Sequence, residues 1–277
     1  MSRINKERAE GSAIERERSE FTAIVRRTVK EFFSDVLSDD EVSRRLTEMR
    51  AVEFLTQEQM EEVAQKNPKE AGADGFIRYE VSANSVSKYP VVLHSESRAE
   101  TLHTLAHEAT HLISPESVFV TNPTKEPDKQ TFSDYLGGIE FERDRLTKEV
   151  DPMSVIYDNP RGRALFWESI TDWIAQSCLD EVLSQEEKDE IATGGYFERH
   201  WIDYLVNEST DRDGLIRAIK ESYATGYEDP LIIWFREHSQ THDDEMYNAL
   251  ISIINRPRTE EDRVDDWMSV VDGNFKA

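Results

Sequence analysis

Cysteine is almost missing. Cys178 is the single thiol in 277 residues, so no internal disulfide can form and the fold must be held by packing alone. Such scarcity fits a reducing compartment, and a small buried helix residue is the plain role for Cys178. Nowhere do about 18 apolar residues follow one another, as a membrane-spanning helix requires. The opening MSRINKERAEGSAIERERSE also lacks the apolar stretch of a secretory signal. A cytoplasmic location is therefore expected. Basic charge is scarce too: 33 Lys and Arg stand against 57 Asp and Glu, a net charge of -24. A field of that sign repels phosphate backbones and anionic lipid surfaces, so neither nucleic acid nor membrane is expected as a partner. Repeats of solenoid period and low-complexity tracts are absent.

What is present is ample material for a core. Hydrophobic residues make up 38% and charged residues 32%, a balance suited to helices with charged outer faces. Residues 1 to about 50 carry apolar positions at helical spacing, among them Phe21, Val25, Val29 and Phe33. Glu15, Glu17 and Glu20 lie among Arg16, Arg18 and Arg26, which reads as a solvated, salt-bridged face. Thr56 followed by Gln59 forms a capping box that opens a short helix ending near Lys66. The period then changes: Gly75 to Val81 alternates as a strand, and a second strand runs from Tyr89 to His94. An apolar stripe of Leu102, Leu105, Ala106, Ala109 and Leu112 predicts a helix from Ser97 to Ile113. The stretch to about residue 160 is irregular, with short strands expected at Val118 to Val120 and Gly138 to Phe141. A strong helix is expected from Gly162 to Leu183, then three or four amphipathic helices over 196–255 and a loose acidic tail after Pro257.

The chemistry concentrates in His107-Glu108-Ala-Thr-His111. Positions i and i+4 of a helix put both imidazoles on one side, one turn apart, where two ring nitrogens reach one metal ion. Glu108 projects about 100° away from His107, where it can hold water beside the metal rather than the metal itself. A catalytic zinc needs a third protein ligand and an open fourth position. Glu168 is the candidate, a carboxylate inside an otherwise apolar run of the next strong helix, where burial demands a partner and a metal is a good one. Asp172, one turn on, shares that face and is suited to accept the outer N–H of a metal-bound His. His103, a turn before His107, is either exposed or an outer neighbour of the site.

The pattern His107-Glu108-x-x-His111 with a later Glu168-x-x-x-Asp172 resembles the gluzincin, thermolysin-like zinc metallopeptidases. That resemblance implies His107, His111 and Glu168 as ligands of Zn2+, Glu108 as the general base that activates the water, and Asp172 as the orienter of His107. It covers about residues 75 to 180. It is a divergent likeness, with a longer stretch between His111 and Glu168 than in thermolysin and Trp167 preceding Glu168 where such enzymes often have Asn. Tyr196, His200 and Tyr204 recur at i, i+4 and i+8, and are read either as donors to an oxyanion or as a packing face.

The expected fold is α+β. A zincin-like catalytic core over 67–185, with a small edge sheet and an active-site helix, follows an N-terminal helical segment over 1–66. A mostly helical C-terminal subdomain over 186–257 and an acidic tail over 258–277 complete the chain. The expected activity is hydrolysis of a peptide or protein substrate that pairs with an edge strand, either Gly75 to Val81 or its neighbour. The alternative is a catalytically silent metal-binding or interaction module of the same fold.

Overall fold

In the computed structural model, which describes residues 3–66, 72–81, 86–114, 119–120, 129–134, 139–144, 164–192, 199–240, 242–254 and 260–275, helices begin where side chains can cap them. The long first helix, α1 (Arg3–Phe32), buries Phe21, Val25 and Val29, with Phe33 just beyond its end. In α2 (Asp39–Arg45) the Ser38 hydroxyl accepts the Glu41 N–H, and a 3-10 turn follows over Leu46–Ala51. The predicted capping box of α3 (Gln57–Lys66) is present in both directions. The Thr56 N–H donates to Gln59 at 2.9 Å, and the Gln59 N–H donates to the Thr56 hydroxyl at 3.3 Å. In α4 (Arg98–Ile113) the Ser97 hydroxyl accepts the Glu100 N–H at 3.2 Å. A second reciprocal box, Ser184 with Glu187, separates α5 (Ala164–Leu179) from α6 (Gln185–Ala192). Such caps satisfy N–H groups that have no partner within the first turn.

The chain divides into two compact units. The first comprises Met1–Arg78, Lys88–Leu112 and Ala175–Ala192. Its sheet has the order β1-β3-β2, from β1 (Glu53–Leu55), β2 (Gly75–Val81) and β3 (Val86–Leu93). β1 runs parallel to β3 with Phe54 opposite Val92. Both flanking strands are tied to the end of β3: the Leu93 N–H donates to Asp74 at 2.7 Å, and the His94 N–H to Leu55 at 2.8 Å. Of the two strands expected at an edge, β2 is one; β3 is central, because the unpredicted β1 covers its other side. A small core of Met60, Tyr89 and Val91, joined by Leu55, Phe76 and Leu93, fills one face.

The second unit comprises Tyr79–Ser87, Ile113–Ile174 and Thr193–Ala277. An antiparallel sheet of β4 (Phe119–Val120), β5 (Lys129–Asp134) and β6 (Ile139–Asp144) pairs Phe132 with Phe141. The helices α7 (Arg199–Glu208), α8 (Arg212–Thr225), α9 (Asp229–His238), α10 (Glu245–Ile254) and α11 (Glu260–Phe275) follow. α8 ends at Gly226, whose φ of 75° is left-handed backbone suited to glycine. Aromatic rings form the centre of this unit: Phe166 meets Trp167, Tyr247 and Trp267, while Trp167 meets Tyr223. Trp167 also donates to Glu228 at 3.0 Å.

Expected as loose, the acidic segment after Pro257 is helical over its described residues, Glu260–Phe275. Trp267, Val271 and Phe275 recur every fourth residue on α11 and are buried. The Trp267 indole N–H donates to the Trp201 carbonyl at 3.1 Å. The architecture is thus mostly helical α+β with small sheets, and no described helix is long and apolar enough to cross a membrane. Trp267→Ala should lower stability by about 3–5 kcal/mol in urea denaturation, as expected for emptying a fully buried indole site. A change below about 1 kcal/mol would mean that α11 is not packed.

Candidate metal centre

α4 is enclosed over nearly its whole length. Residues 101–114 are buried apart from a half-buried Thr104, although the helix carries three imidazoles and two carboxylates. His103, His107, Glu108 and His111 are all under 9% exposed. Buried polar groups need hydrogen bonds, opposite charge or a metal to offset lost hydration. His103, expected as exposed or as an outer neighbour, is therefore inside.

The imidazoles of His107 and His111 face one another through Nε2, at 3.3 Å, with their rings 72° apart. Two nitrogens bound about 2.0–2.1 Å from a tetrahedral metal stand about 3.3–3.4 Å apart, so the pair already has the spacing of two ligands on one ion. The Glu168 side chain, half-buried on α5, brings a carboxylate oxygen to the same point. The ligand atoms of His107, His111 and Glu168 all lie within 4.8 Å of one another, a spread that side-chain torsions can take up. Two borderline nitrogen donors and one carboxylate suit a first-row transition ion rather than calcium or magnesium, which prefer oxygen throughout. The residues present thus fit a metal, and the three candidate ligands read from sequence are the three that meet here.

Glu108, the residue after His107 on α4, is buried and is not one of the group's members. Its carboxylate is approached by the first residue of β2. A Cβ built on Gly75 would lie 2.6 Å from the Thr104 methyl carbon and 2.9 Å from Glu108 Oε1, so only glycine lets this strand pass so near. The far end of the helix is held by Lys88 of β3, itself buried, whose Nζ donates to the His111 carbonyl at 2.9 Å. Carbonyls in the last turn of a helix lack intrahelical partners and favour a cation. Asp172, one turn beyond Glu168, is buried against an equally buried Arg199, with Nη1 3.2 Å from Oδ2.

Of the remaining sequence candidates, the described ones are not members of the cluster. Tyr196 lies outside the described residues. His200 is exposed on α7, between the buried Arg199 and Trp201, and Tyr204 donates to Asp272 of α11 at 2.5 Å. Sequence reading missed Lys88 and Arg199. The orphan carbonyls at the end of α4 signal that some cation must come, but no spacing says which. Arg199 opens a buried run of Trp201, Ile202, Leu205 and Val206, and a charge at the head of an apolar face was the available hint.

No known family, curated protein or solved structure matches this chain. The site is therefore read from its own geometry.

Two outcomes follow. The purified chain should bind one divalent transition ion, and His111→Ala should weaken that binding at least about 100-fold by competition with a chelating dye. Gly75→Ala should destabilise the fold by about 1–3 kcal/mol through overpacking, with part of the loss recovered by adding Thr104→Ser. Equal stability of Gly75→Ala and the parent would show that the strand does not press on Glu108.

Proposed function

We propose that this chain is a zinc-dependent peptide-bond hydrolase of gluzincin type, with His107, His111 and Glu168 as the residues that would hold zinc. The observation that carries this reading is Glu108. A structural zinc site usually closes with a fourth protein ligand, yet the buried carboxylate of Glu108, next to His107 in sequence, is not among the three that gather. That arrangement suits a base reserved for chemistry. Zinc held there would supply Lewis acidity, polarising a scissile carbonyl and making water more acidic.

The chain's own residues supply the rest. Glu108 accepts a proton from the attacking water and returns it to the leaving amine, so one carboxylate acts first as base and then as acid. Close passage of Gly75 holds the Glu108 side chain to a narrow set of positions. β2 is an edge strand, and an extended peptide pairing with its free side would run alongside the strand that touches Glu108. Lys88 fixes the last turn of α4, and with it the His111 ring. Asp172, held by Arg199, suits the role of orienting His107, because carboxylates commonly fix the tautomer of a ligating imidazole.

Glu108→Gln separates catalysis from metal holding. It should keep the zinc content of the parent while lowering cleavage of unstructured peptides by about 100-fold or more. Treating the parent with a chelator should abolish cleavage, and added zinc should restore it. Zinc retained in both proteins with no cleavage by either would contradict the hydrolase reading and favour a silent metal-binding module.

A further inference from the structure

A groove in the first unit shares no residue with the metal cluster. α1 presents Glu15, Arg18, Thr22 and Arg26 on one face, and that face walls a groove of about 610 Å³ whose other side is built from Met49 to Leu55. Three arginines line it: Arg18, Arg26 and Arg50.

In a chain with 57 acids against 33 bases, many described arginines find carboxylates, such as Arg45 on Glu41 at 2.8 Å, Arg98 on Glu187 at 2.6 Å and Arg217 on Glu221 at 3.0 Å. Among the described residues, Arg18, Arg26 and Arg50 have no acidic partner. Of the salt-bridged face expected for α1, Arg18 and Arg26 therefore form no ion pair among the described residues. Glu53 of the groove is already engaged by Arg78 at 2.7 Å, and Glu15 is exposed. The Arg18 guanidinium lies 5.6 Å over the Phe54 ring, a contact that fixes its plane. Its Nε is shut off from solvent with no hydrogen-bond partner. A buried donor of a charged group left unmatched is costly.

We propose that this groove binds a small organic anion bearing at least two carboxylate or phosphate groups. The volume falls in the range of small-molecule sites. Arg18 and Arg26 are eight residues apart, about 12 Å along the helix axis, so one anionic group cannot serve both. Planar guanidinium forks match carboxylate and phosphate oxygens in pairs. A long polyanion such as nucleic acid is opposed by the overall charge, whereas a small ligand within a Debye length of the groove responds to the local arginines.

Isothermal titration of the full chain with glutarate and, separately, fructose 1,6-bisphosphate at fixed ionic strength tests this, and the probe that binds tells carboxylate from phosphate recognition. Saturable binding is expected for at least one probe, weakened about tenfold or more by Arg18→Gln and by Arg26→Gln. Arg26→Gln, at a half-buried position, keeps the test valid if Arg18→Gln fails to fold. Arg44→Gln and Arg217→Gln should leave affinity unchanged, because both are exposed arginines outside the groove. Absence of saturable binding by both probes would overturn the proposal. So would binding insensitive to the folded groove variants, or binding lost in Arg217→Gln.

Discussion

Two imidazole nitrogens 3.3 Å apart, buried on consecutive turns of one helix, set the constraint from which the site follows. Neutral imidazoles in that arrangement share at most one proton between the facing nitrogens, whereas a cation between them satisfies both. The carboxylate of Glu168 adds the negative charge that makes such a cation tolerable away from water. Enclosing α4 with its polar residues is costly unless such partners are supplied.

The supporting contacts share one purpose, which is to remove freedom. Lys88 binds the His111 carbonyl, Arg199 binds Asp172 and Gly75 crowds Glu108. Each acts on a different element, β3, α7 and β2, so groups on α4 and α5 are restrained from several directions. Active sites depend on such outer contacts, because a shift of about an ångström in a ligand or base is expensive in rate. The groove of Arg18, Arg26 and Arg50 is built on another logic, in which cations are left without acids in a chain that has acids to spare.

Local signals were legible in the sequence. Thr56 and Gln59 announced their capping box because both halves of it lie within one turn. His107 and His111 were legible because helical spacing alone brings i and i+4 together, and Glu168 because a carboxylate stood in an apolar run. What failed was mostly non-local. β1 has three residues and pairs in parallel with a strand far along the chain, so no periodicity marks it. β5 went unseen between two short strands that were expected, since its Lys129–Asp134 sequence is polar. The tail was misread because acidic composition hid the every-fourth-residue stripe of Trp267, Val271 and Phe275. Lys88 and Arg199 could not be assigned because their partners are set by tertiary packing, not spacing.

X-ray absorption at the zinc edge of the metal-loaded chain addresses the central claim most directly, because it reads the donor atoms themselves. The account predicts a four-coordinate first shell at about 2.0–2.1 Å made of nitrogen and oxygen, with outer-shell scattering from two imidazoles and no sulfur. A shell of oxygen alone, a sulfur donor, or failure of the chain to hold zinc would contradict it.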